Sequence, residues 1–187
     1  MNADSGRGRS IHGKPILPAC LMAVLITVIA ASCEPAVTFT EPQPRSAKDM
    51  SEFPARWRGD YRSMEDSSVL HITAYSISRI DSEGDGGEGE KRFSIGPGNR
   101  LRRFKGCLFL SMSRTDGGWE VVKLQRSGDL LNWSFILTRQ ELESLQEITE
   151  APEEAEAPPR FSPSRKEMRR FLKEGGFATG ETFLRIR

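Results

Sequence analysis

The chain has 187 residues, with 27 basic and 26 acidic groups, two histidines and three cysteines. So even a charge balance lacks the basic surplus with interleaved aromatics that marks a nucleic-acid binder, and no nucleic-acid partner is expected. Polar and proline-rich stretches use up part of the length, which leaves enough for one small domain.

The first 32 residues read as a secretory signal. Arg7, Arg9 and Lys14 form a basic start, an apolar run follows from Ile16, and small residues close it. Ile29-Ala30-Ala31-Ser32-Cys33 resembles a bacterial lipobox, in which the thiol of Cys33 takes a diacylglyceryl group and Cys33 becomes the first residue of the mature protein. The run from Ile16 to Ser32 sits at the short end of the roughly 17–25 residues that cross a bilayer, so a retained membrane helix stays open on length alone. So does ordinary cleavage that leaves a free thiol. The Ala30-Ala31-Ser32 ending suits a peptidase, and no aromatic belt follows it. One acyl chain binds membranes marginally, whereas two or three anchor firmly. Glu34 rather than Asp follows the cysteine, which by analogy with enterobacterial lipoproteins points to the outer membrane, with the periplasmic face favoured over the cell surface because no acidic run follows.

Removing residues 1–32 takes away three basic residues and one acidic residue, so the mature chain has a net charge near −1. Cys20 lies in the signal and Cys33 at the lipid site, which leaves Cys107 as the one remaining thiol and excludes an internal disulfide. In its apolar setting Cys107 reads as a small core residue, with a reactive thiol as the alternative.

Residues 33–54 read as lipid anchor and tether. Pro35, Pro42, Pro44 and Pro54 interrupt a stretch with few large apolar residues. At about 3.1 Å per residue, an extended tether of this kind would reach roughly 65 Å.

Residues 55–187 read as a mostly β domain. Strands are predicted near 56–63, 68–75 and 76–80, then near 91–95 and 101–105 after the acidic, glycine-rich break at 81–90. Cys107 to Ser113 and Trp119 to Gln125 flank Asp116-Gly117, the strongest hairpin signal in the chain, and Ser127-Gly128-Asp129 turns it into a strand over 130–137. Thr138 and Glu141 match a capping box for a helix over 139–147. Residues 150–160 are acidic, proline-rich and irregular. A second helix starts at Pro163 or Ser164 and ends at Gly175-Gly176, and a strand over 182–186 closes the chain. The expected fold is mainly β with some α, a single antiparallel meander that is barrel-like or sandwich-like, with a short helix, a C-terminal helix and a final strand.

Catalytic chemistry finds little footing. Asp81, Glu83, Asp85 and Gly86 echo the opening of a calcium loop, but Glu88 stands where an apolar residue is usual and Arg92 where the bidentate acid belongs. His71 is the only histidine after the signal, too few for a His-based zinc site, though a dyad with Cys107 is conceivable. Carboxylate pairs of glycosidase type, phosphate loops and nucleophile elbows find no match. No catalytic residue, cofactor or metal ligand is assigned. Trp57, Trp119, Trp133, Tyr61 and Tyr75 read as core, with a ligand cavity as the alternative. Arg102, Arg103 and Lys105, and separately Arg165, Lys166, Arg169, Arg170 and Lys173, form basic clusters able to meet anionic headgroups or glycans.

Phe39-Thr40-Glu41-Pro42-Gln43-Pro44, Gly59-Asp60-Tyr61 and Phe171 to Phe177 together resemble small lipoproteins of Bacteroidota. In those proteins a Phe-x-x-Pro-Gln-Pro segment follows the lipid cysteine, Gly-x-Tyr opens the first strand, and Phe-Leu-Lys-x-Gly-Gly-Phe ends a C-terminal helix. The resemblance implies location and lineage, and brings no activity, cofactor or catalytic residue. The expected role is that of a lipid-anchored cell-envelope protein, structural or binding a protein or glycan partner. A lipocalin-like carrier of an apolar ligand and an envelope hydrolase are the alternatives.

Overall fold

The structure is a computed structural model and describes residues 37–80, 90–149 and 158–186. The predicted signal, Cys33, most of the calcium-like loop and residues 150–157 lie outside the described residues.

Eleven strands and two helices follow in chain order: β1 (Thr38–Phe39), β2 (Gly59–Ser63), β3 (Val69–Ile72), β4 (Ser76–Ile80), β5 (Glu90–Ser94), β6 (Asn99–Phe104), β7 (Cys107–Ser113), β8 (Trp119–Ser127), β9 (Leu130–Phe135), α1 (Arg139–Ile148), β10 (Arg160–Phe161), α2 (Arg165–Lys173) and β11 (Thr179–Arg185). The strands form one sheet in the order β10-β1-β8-β9-β11-β2-β3-β4-β5, with β7 on the other edge of β8 and β6 beyond it. All pairs are antiparallel except β1 with β10. The fold is mainly β, as the sequence leads one to expect, but the sheet is not closed into a barrel.

Local chemistry explains the element ends. Gly117 (φ +82°) turns β7 into β8, and Gly128 (φ +60°) stands first in the two-residue turn between β8 and β9, a site that only glycine fills without strain. Both helices open on capping boxes: the Thr138 side chain accepts the N–H of Glu141, and that of Ser164 accepts the N–H of Glu167. Of the two helix starts open in the sequence, Ser164 is the cap. The last strand is longer than its apolar pattern indicates and inserts between β9 and β2, so it is an interior strand of the sheet.

Because side chains alternate along a strand, β7 and β8 feed two cores. Leu108, Leu110, Val122 and Leu124 join Leu131, Trp133, Phe183, Tyr61, Leu70, Ile72, Ile77 and Phe93 in a first core, which the curled sheet encloses with Phe53 and Trp57. Phe109 and Val121 point the other way, into a second core with Val37, Phe39, Phe161, Leu145, Met168, Phe171 and Phe177. The helices cover this second face.

The expected tether is a correction. Residues 37–54 are part of the domain: Phe39 and Phe53 are buried, Phe39 pairs with Trp119, and the Met50 N–H donates to the Leu101 carbonyl. The Gln43 N–H and the Ser111 hydroxyl oxygen form a buried hydrogen bond at 3.0 Å. Few apolar residues suffice to dock the segment because Val37, Phe39 and Phe53 are inserted into the cores, and Pro42, Pro44 and Pro54 sit outside the strands, where no ladder donor is needed. The irregular reading of 150–160 is corrected at its end, where Arg160 and Phe161 pair with Thr38 and Phe39.

Candidate anion-binding pocket

The β6–β7 connection is a two-residue turn, Lys105-Gly106, with φ of +50° and +84°. Both central residues are left-handed, the requirement of a type I′ hairpin. The turn sets Lys105 beside Cys107, whose Sγ lies 4.0 Å from the Lys105 carbonyl. Phe109 of β7 pairs directly with Lys123 of β8, so the Lys123 side chain leaves the sheet on the helix-covered face. On α2, Arg169, Leu172 and Lys173 are spaced three and four apart and therefore share one face.

These residues and Gln125 surround one cavity of about 400 Å³. Four are cations: Lys105, Lys123, Arg169 and Lys173. None of the lining residues is acidic. Lys105 of the first basic cluster thus meets Arg169 and Lys173 of the second, more than 60 residues further along the chain, around a thiol.

Lys123 is the unusual member, being only 9 % exposed. Burial pushes its ammonium below the ordinary lysine value, with the Cys107 thiol and Glu141 acting in the opposite direction. Among the described residues no side chain or carbonyl accepts a hydrogen bond from this ammonium. The ammonium is not sealed from solvent but opens onto the cavity, so an oxyanion entering there would meet its donors at a partly desolvated site. Glu141 does not fill that role: its oxygens accept the N–H groups of Leu137, Thr138 and Ala178. For Cys107, burial pushes the thiol up, and Lys123 offsets this only in part. The thiol is held protonated at neutral pH, which does not suit a nucleophile.

A second concavity shows the contrast. Leu70, Arg79, Arg92, Trp133, Phe135, Glu181 and Phe183 line about 260 Å³ at the rim of the first core. There the Arg79 guanidinium donates to both oxygens of Glu181 at 3.1 and 2.8 Å and also reaches Asp66. Its charge is matched within the chain.

The other residues singled out in the sequence fall elsewhere. His71 is on β3 opposite Asp60, and its Nδ1 bonds that carboxylate on an exposed face, away from Cys107. Trp57, Tyr61 and Trp133 are core, Trp119 packs at the edge of the second core, and Tyr75 is exposed. Arg102 bonds Asp49 at 2.6 Å rather than joining the pocket, and Arg165 stacks over Phe104. No three potential metal ligands among the described residues stand together. No helix among them is long and apolar enough to cross a membrane.

Lys123 escapes a sequence reading because it looks like a solvent-facing strand residue. The signal lies in its neighbours: Val121-Val122-Lys123-Leu124 is apolar on both faces, and a lysine within such a run is enclosed whichever way it points. Compared with family models, curated proteins and solved structures, the chain matches none.

Proposed function

We propose that the protein is a lipid-anchored, non-catalytic binding protein of the cell envelope, held to the outer membrane through Cys33 on its periplasmic face. It recognises an anionic group of an envelope component in the pocket around Lys123. The signal and lipobox-like junction at Ile29 to Cys33 support the placement. A single observation carries the binding role: a lysine whose stem is mostly buried lines, with no acceptor for its ammonium, a cavity whose rim is cationic. The carrier reading calls for an enclosed apolar cavity of about 300 Å³ or more. Here the space inside the curled sheet is occupied by packed side chains, which favours recognition at the surface.

Growth of cells on radioactive palmitate tests the placement. Wild-type protein takes up label and Cys33→Ala does not; label on both ends the lipoprotein reading.

A further inference from the structure

We propose that the pocket takes the phosphate of an anionic phospholipid headgroup from the same membrane that holds the anchor, an inference that rests on the function proposed above.

Two observations lead there. The cavity offers charge on one side and, through Leu172 and the protonated Cys107 thiol, an apolar wall on the other. That combination fits a phosphate carried on a hydrophobic body better than a free ion. Charge also continues outside the cavity, because Lys166 and Arg165, the latter over the Phe104 ring, are exposed on the same helix, whereas Arg170 is paired with Glu174. Basic side chains at a membrane surface add attraction to anionic lipids residue by residue.

Cys107 provides the readout. In the acylated protein it is the only free thiol, since Cys20 leaves with the signal and Cys33 is a thioether. The full lipidated protein is reconstituted into vesicles of phosphatidylcholine alone or of equal parts phosphatidylcholine and phosphatidylglycerol, and Cys107 is alkylated with uncharged iodoacetamide. Phosphatidylglycerol is expected to slow alkylation about fivefold or more. The double variant Arg169→Gln/Lys173→Gln, altered only on an exposed helix face, should lose most of that ratio, and Lys123→Met should lose it entirely. Each ratio is taken within one variant, so a change in thiol acidity cancels. Equal rates in the two vesicles, or a ratio unchanged in both variants, overturn the proposal. Equal protection by inorganic phosphate in pure phosphatidylcholine vesicles also overturns it, in favour of a free-anion site. Mass spectrometry of the starting protein separates the two levels. An unmodified Cys33 overturns anchor and inference together, whereas acylated Cys33 without protection overturns the inference alone.

Discussion

Glu141 and Ala178 are 37 residues apart, yet the Glu141 carboxylate accepts the Ala178 N–H at 2.7 Å. Its other oxygen accepts the N–H groups of Leu137 and Thr138 and the hydroxyl of Thr179. A capping-box glutamate therefore closes the start of α1 and also fixes the chain as it enters β11. Burial alone would raise its pKa, but the N–H donors of Thr138, Ala178 and Leu137 together with the Thr138 hydroxyl hold it below the ordinary glutamate value.

Loss of this carboxylate is expected to destabilise the domain by about 2 kcal/mol in Glu141→Gln and about 3 kcal/mol in Glu141→Ala, because hydrogen bonds to charged groups contribute roughly 1.5–3 kcal/mol and their donors become unsatisfied. Urea unfolding measures both. Since the folded pKa is depressed, the stabilisation is fully present above the ordinary value of 4.5 and declines as pH falls through the lower folded value. The difference between wild type and Glu141→Gln should narrow on acidification below that point.

Phe53 stands edge-on to Phe93, with centroids 6.0 Å apart, and is fully buried. Phe53→Ala is expected to cost about 3–5 kcal/mol, the range for truncating a core aromatic. A free tether would leave the denaturation midpoint unchanged, so this one substitution decides whether residues up to 54 belong to the fold in solution.

At Gly180 an added Cβ would lie 2.0 Å from the Trp133 carbonyl oxygen, a backbone atom of the neighbouring strand. Gly180→Ala must push β11 from β9, and we expect a loss of at least about 3 kcal/mol. Gly106→Ala is the control. No atom lies within 4 Å of the place its methyl group would take, so only the positive φ of +84° opposes it. The cost there should stay near 1–2 kcal/mol by thermal or chemical unfolding.

Lys123→Met should stabilise the domain by up to about 1 kcal/mol in detergent without anionic lipid, since it removes a partly desolvated charge and keeps the length of the chain. Burial depresses the Lys123 pKa, so the penalty is complete below the folded value and fades as pH climbs toward 10.5. The advantage of the variant should shrink over that range. A destabilised Lys123→Met at neutral pH would mean that the ammonium is satisfied within the chain.

Much of the architecture was legible one residue at a time. Thr138 with Glu141 announced α1, Ser164 and Gly175 bracketed α2, and Asp116-Gly117 marked the β7–β8 hairpin, because caps and turns are made by neighbours in the chain. The Lys105-Gly106 turn was harder to see, since lysine is an uncommon occupant of a left-handed position.

By itself the sequence determined the alternating strands and the capped helices, features written in residues a few positions apart. Only the tertiary structure decided that Phe39 and Phe53 enter the cores, that β11 lies inside the sheet, and that Lys105, Lys123, Arg169 and Lys173 surround one cavity. The reason is physical: a strand pattern states which side chains share a face, whereas strand order and the packing of α2 on the sheet depend on contacts between distant segments. Whether a lysine faces water or a closed pocket is settled by those contacts alone.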